Sequence, residues 1–123
     1  MNRFVILVGI GGFLGSIARY LAAYVITKTT LSTFPYSTFA VNVAGCLIAG
    51  MVLGFSERFG WLPEWRIFLA TGFCGGFTTF SSFALESVVL LQDKDYLTFA
   101  SYATLSFVLG LAATFAGLFL TRG

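Results

Sequence analysis

Apolar residues along the chain gather into four long runs, and charged residues fall mostly in the gaps between them. The first run covers about Phe4 to Ile26, the second about Tyr36 to Phe55, the third about Ile67 to Leu91 and the fourth about Leu97 to Leu120. Each supplies the ~20 mostly apolar residues that a helix needs to cross a bilayer. The connectors are short: Lys28 to Pro35, Ser56 to Arg66 and Gln92 to Tyr96. Pro35 and Pro63 lie in connectors, where a missing N–H does least harm. Tyr36, Trp61, Trp65 and Tyr96 sit near run ends, the usual place of interfacial aromatics. Arg19 and Tyr20 stand where a cleavable signal would need small residues, so the first run is expected to stay as a helix. The pattern predicts an all-α integral membrane protein with four transmembrane helices, residues 1–123 forming a single four-span unit.

Composition strengthens this reading. Of 123 residues, 58% are hydrophobic and 10% charged, against about 25% charged in soluble domains. The mean hydropathy is +0.92. A net charge of +2, carried by scattered basic residues, argues against nucleic acid as a partner. Cys46 and Cys74 lie inside apolar runs without metal-like spacing and read as small buried residues. Four packed helices fill their own centre with side chains. Any pathway must then run between subunits or along a groove that a second copy completes, and a twofold homodimer is the simplest closed arrangement.

The third run departs from an ordinary membrane helix. Residues 72–83 read GFCGGFTTFSSF, with three glycines, two threonines, two serines and four phenylalanines where Leu, Ile and Val would be expected. Adjacent Gly75 and Gly76 each weaken a helix by roughly 1 kcal/mol relative to alanine. Thr78, Thr79, Ser81 and Ser82 can bond to nearby backbone. Two readings follow. One is a kinked helix packed tightly on a neighbour. The other is a helix broken near its centre, whose freed carbonyls hold a cation and whose freed N–H groups face an anion. Irregular backbone at bilayer depth is tolerated only where protein or a water-filled path covers it.

Other residues carry paired readings too. Phe80 and Phe83 share a helical face, either for lipid and core contact or to present electropositive ring edges to an anion. Asn42 offers two N–H donors to an anion, or an interhelical hydrogen bond. Arg19 and Glu86 are ionisable residues inside runs, so they are either functional or snorkel to an interface. Tyr102, Ser106 and Gly110, four apart, form one stripe of the fourth run that lines a path or glues helices. Gly11 with Gly15, and Gly50 with Gly54, have the GxxxG spacing of closely packed membrane helices, and Gly110 and Gly117 take the same packing role.

No histidine, phosphate loop, Ser–base pair or metal cluster is present, and one in-span carboxylate does not make an acid–base pair. A non-enzymatic small-ion channel, a proton-coupled transporter and a structural subunit remain. GFCGGFTTFSSF, with GxxGSxARY at Gly12–Tyr20 and TFAVNVAGC at Thr38–Cys46, closely resembles the Fluc (CrcB) family of microbial fluoride channels, and the likeness spans all four runs.

The resemblance implies an antiparallel, dual-topology homodimer with two fluoride pores, exporting fluoride passively across the inner (plasma) membrane. It implies that Phe80 and Phe83 are the pore phenylalanines and Asn42 the pore asparagine. Gly75 and Thr78 would give backbone carbonyls to a central structural sodium ion. Tyr102 and Ser106 would form a polar track, with Arg19 in a structural or vestibular place. Fluoride is a strongly hydrated acceptor whose water needs replacement donors, which the hydroxyls of Thr79, Ser81 and Ser82 and the Asn42 amide can supply, and Glu86 is grouped with Arg19 as a structural or vestibule residue. Gly110 departs from members that carry another hydroxyl there. The rival is a small multidrug-type proton-coupled transporter, which needs a carboxylate in its first helix; this first run carries Arg19 and no acid.

Overall fold

The computed structural model describes residues 2–29 and 34–122. The connector residues 30–33 lie outside them. All regular structure among the described residues is helical. Helix α1 spans Asn2–Thr29 and α2 spans Tyr36–Phe59. A single turn, α3 (Pro63–Arg66), leads into a π-helical stretch over Ile67–Cys74 and a last turn, α4 (Gly75–Phe77). After Thr78 and Thr79 come α5 (Phe80–Gln92) and α6 (Tyr96–Arg122). Four stretches are long and apolar enough to cross a membrane: Arg3–Lys28, Tyr36–Phe59, Pro63–Gln92 and Tyr96–Arg122.

The second connector is shorter than the apolar pattern implies. Ser56 to Phe59 continue α2, and Gly60 ends it in the left-handed conformation at φ 61°. There the N–H groups of Gly60 and Trp61 both return to the Ser56 carbonyl, a C-terminal closure that glycine permits without strain. Pro63 then opens α3 from its first turn, where its fixed φ suits a helix and no N–H is missed. Ion pairs Arg3–Glu64 (3.4 Å) and Arg122–Glu57 (3.8 Å) gather both ends of the chain and this connector at one end of the bundle.

Two helix pairs build the protomer. In the first, α1 crosses the third span at glycines. A Cβ on Gly11 would lie 2.5 Å from the Phe68 carbonyl oxygen, and one on Gly76 would lie 2.5 Å from that of Gly12. In the second, α2 and α6 run side by side in a constant register. A Cβ on Gly50 would press on Thr114, one on Gly54 would lie 2.9 Å from the Leu118 oxygen, and one on Gly117 would lie 2.8 Å from the Met51 nitrogen. Lipid tails are as apolar as leucine, so contact must come from close packing, and missing side chains allow it. Gly110 differs: a Cβ there would meet only the Cys46 sulfur, at 3.6 Å.

These distances generate a contrast. Gly76→Ala forces α1 off the third span and is expected to cost about 1–3 kcal/mol, the usual range for overpacking. Gly9, on the same helix α1, has nothing within 4 Å of an added Cβ. Gly9→Ala should leave stability unchanged or raise it by up to about 1 kcal/mol through helix propensity. Thermal unfolding of the purified proteins in detergent measures both.

Candidate functional site: a groove beside the opened third span

Gly75 and Gly76 both keep helical backbone, since Gly75 has φ −62° and ψ −38° and α4 continues to Phe77. The extended residues are the next pair: Thr78 at φ −84°, ψ 159° and Thr79 at φ −150°, ψ 115°. The threonines are extended because side chains supply what the helix gives up there. The Thr78 hydroxyl donates to the Cys74 carbonyl at 2.8 Å and closes the end of α4. The Thr79 hydroxyl accepts the Ser82 N–H at 3.1 Å and caps the start of α5. Its hydroxyl also lies 3.2 Å from both the Ser81 and the Ser82 hydroxyls.

Asn42, on α2, binds the opened segment at two points. Its Nδ2 donates to the Thr79 carbonyl at 3.1 Å, and its Oδ1 accepts the Thr79 N–H at 2.7 Å. One amide side chain thus pairs with both backbone groups of one residue, as a neighbouring strand would. In a continuous α-helix the Thr79 N–H would have bonded the Gly75 carbonyl, and the Ser82 N–H the Thr78 carbonyl. Both donors are diverted. Arg19 meets the same segment from α1, its Nε donating to the Gly76 carbonyl at 3.1 Å. Of the two readings open for Asn42, the interhelical bond is present, and it leaves one of the two Nδ2 protons over.

Beside this segment lies a groove of about 440 Å³. Asn42 and Cys46 of α2, Thr78, Thr79, Phe80 and Phe83 of the third span, and Ala103, Ser106 and Phe107 of α6 line it. Phe80 is 79% exposed, so one wall of the groove is open within a single chain. The Phe80 and Phe83 rings are 5.7 Å apart and tilted by 40°. Ser81 and Ser82 join the site through the Thr79 hydroxyl and are not groove-lining.

Tyr102 and Glu86 take a separate place. Tyr102 is wholly buried, with its ring 5.0 Å from that of Phe83. Its hydroxyl donates to Glu86 Oε1, and the Thr38 hydroxyl donates to Glu86 Oε2, both at 3.0 Å. Glu86 therefore turns inward to two hydroxyls. The spacing along the chain had not separated this arrangement from snorkelling.

Thr38, Cys46, Ala103 and Phe107 were missed as site members. One signal was available: Thr38, Asn42 and Cys46 are four apart and form a stripe on α2 that faces Tyr102, Ser106 and Gly110 on α6.

Comparison with known proteins supplies the family. The family model described as "CrcB-like protein, Camphor Resistance (CrcB)" matches residues 6–118. The chain belongs to the CrcB family. Among curated CrcB relatives, the fluoride-specific ion channel FluC of Flavobacterium psychrophilum is 46% identical over 116 residues, covering 94% of each chain. Its namesake in Azobacteroides pseudotrichonymphae is 44% identical over 123 residues, covering 99% of this chain and 98% of the relative. That of Gloeothece citriformis is 44% identical over 118 residues, covering 96% of each. This CrcB protein is thus a multi-pass membrane protein.

The two-point bond gives a direct test. Asn42→Ala leaves the half-buried Thr79 N–H without its partner, whereas the Thr79 carbonyl, as the N-cap of α5, still accepts the first bond of that helix. An orphaned donor of this kind costs about 1–3 kcal/mol when water cannot reach it. Hydrogen exchange of the Thr78–Ser82 backbone should accelerate strongly in Asn42→Ala. It should accelerate less in Asn42→Asp, which keeps the acceptor for Thr79 N–H. Mass spectrometry of peptides over this segment reads the difference.

Proposed function

We propose that this chain is a subunit of a fluoride-selective channel that lets fluoride leave the cell passively across the inner membrane and so lowers fluoride toxicity. The observation that carries the reading is the groove itself: two adjacent phenyl rings and a set of neutral donors beside an opened helix, in a chain whose relatives are named fluoride-specific ion channels. Fluoride is a small, hard, strongly hydrated acceptor, and its water must be replaced by other donors. The remaining Asn42 N–H, the Ser106 hydroxyl and the edges of Phe80 and Phe83 are of the right kind. None of these is a full positive charge, which favours release as well as entry.

The rival proton-coupled multidrug transporter is less well supported. Its first helix would need an acid for proton exchange, and α1 has none. Glu86 is on the third span, and both of its oxygens already accept hydroxyl protons.

The functional unit in this reading is an antiparallel homodimer, residues 1–123 of each copy being one channel domain, with two pores completed between the copies. The open wall of the groove supports it, as does Gly75. Gly75 is exposed, and an added Cβ would meet only the Ala70 oxygen at 4.0 Å, so nothing within the chain requires glycine there. Hard cations are held by oxygen ligands. The Gly75 and Thr78 carbonyls, whose ordinary helical donors are diverted, would hold a structural sodium ion together with the same pair from the second copy.

Two outcomes test the pore. Purified protein in liposomes should release fluoride without a proton gradient. Phe80→Ile and Phe83→Ile, which keep bulk but remove the ring edge, should each cut that flux by about tenfold or more while dimers persist. An electrode outside the liposomes records the rate, and near-normal flux in both variants would leave the rings a packing role only.

A further test addresses the dimer. The end of the bundle that holds both termini carries Arg3, Arg58, Arg66 and Arg122, and the other end carries Lys28 and Lys94. Orientation follows such a bias, and this one is small. Reporters fused after Gly123 should therefore give signal on both sides of the membrane. Gly75→Val should weaken the dimer and lower its bound sodium, as read by size-exclusion chromatography and metal analysis. Signal from one side only, in an active protein, would refute the antiparallel arrangement.

A further inference from the structure

The stripes on α2 and α6 meet as rungs. Thr38 and Tyr102 form the first, both donating to Glu86. Asn42 and Ser106 form the second, in the groove. Cys46 and Gly110 form the third, with the sulfur 3.6 Å from where a Gly110 Cβ would stand. The same register continues into the close packing of Gly50 on Thr114 and Gly54 on Leu118, where no space remains for an ion. The third rung is therefore the last at which the groove can offer a polar side chain. There α6 supplies no side chain, and α2 supplies a thiol.

Most polar atoms of the groove are already engaged. Thr78 donates to Cys74, Thr79 bonds Ser81 and Ser82, and Asn42 has spent one of its protons on Thr79. Ser106 and Cys46 have no hydrogen-bond partner among the described residues. This is unusual for Ser106, since Thr114 and Thr121 on the same helix both donate back to the carbonyl four residues earlier. Cys46 is a free, half-buried thiol facing the same groove.

We propose that the Cys46 thiol is a pathway donor: it continues the polar track past Ser106, doing from α2 what a hydroxyl at position 110 would do from α6. A thiol is a weak S–H donor. It solvates a passing small anion without holding it, as conduction requires. The inference rests on the channel reading given above.

The experiment is fluoride efflux from liposomes containing the purified full chain. Cys46→Ala should slow efflux by about fivefold or more, the order expected when one hydrogen bond to an ion is lost. Cys46→Ser should conduct several times faster than Cys46→Ala. In the Cys46→Ala background, Gly110→Ser should restore flux, because it returns a hydroxyl to the same rung from the opposite helix. Gly110→Ala in that background should not, and this separates donation from simple filling of space. Methyl methanethiosulfonate, which caps the thiol as a methyl disulfide, should inhibit the wild-type chain and the Cys74→Ala variant, and spare Cys46→Ser. Wild-type flux in Cys46→Ala, or equal rescue by Gly110→Ala and Gly110→Ser, would overturn this inference alone. A wild-type chain that passes no fluoride would overturn it together with the channel reading.

Discussion

The third span opens where lipid offers its backbone no hydrogen bonds, and every N–H or carbonyl left unpaired there costs several kcal/mol. The rest of the protomer is organised around that constraint. Asn42 reaches from α2 to take both backbone groups of Thr79, Arg19 reaches from α1 to the Gly76 carbonyl, and Thr79 caps the following helix with its own hydroxyl. The three side chains come from three different spans. Moving any one span outward would break at least one of these bonds, so the opening also ties the spans together.

Close approach makes such reach possible. Arg19 lies seven residues beyond Gly12, two turns along the same face of α1, and Gly12 is where α1 touches Gly76. The glycines of that crossing bring the helix axes near enough for a guanidinium to meet a carbonyl. The parallel register of α2 with α6 has an equivalent effect on the other side. It stacks Thr38, Asn42 and Cys46 against Tyr102, Ser106 and Gly110, so one helix pairing sets both the carboxylate pocket at Glu86 and the groove beside the opening. Packing and site are thus one set of contacts.

The four spans were legible because apolar length alone decides them, and the third span stood out because its composition contradicts an ordinary membrane helix. The position of the extended pair was harder to read. Propensity pointed to Gly75 and Gly76, yet both remain helical, and the extended residues are the threonines, whose hydroxyls close one helix and cap the next. Local propensity ranks residues, whereas side-chain bonds decide where a helix stops. The π-helical run over Ile67–Cys74 had no sequence signal that we can identify. The partners of Asn42 and Glu86 are 37 and up to 48 residues distant in the chain. Spacing shows which residues share a face, as Thr38, Asn42 and Cys46 do; it does not show which face meets which, so their pairing with α6 became visible only with the two helices in register.

The balance of charge around the groove follows from the same contacts. Arg19 is the basic residue that lies well inside a span rather than near its end, and no carboxylate pairs with it among the described residues. Its Nε is held on the Gly76 carbonyl, and its side chain does not line the groove. Glu86, a carboxylate set back from the ends of its span, accepts from two hydroxyls and is likewise not a lining residue. The wall itself presents only weak dipoles, ring edges and a thiol. If the guanidinium lined the groove, a small hard anion would pair with it and stay. A bare Glu86 in the same place would repel that anion. The hydrogen bonds that satisfy the opened backbone and the half-buried carboxylate therefore also keep full charges off the path, and a passive route for an anion requires both.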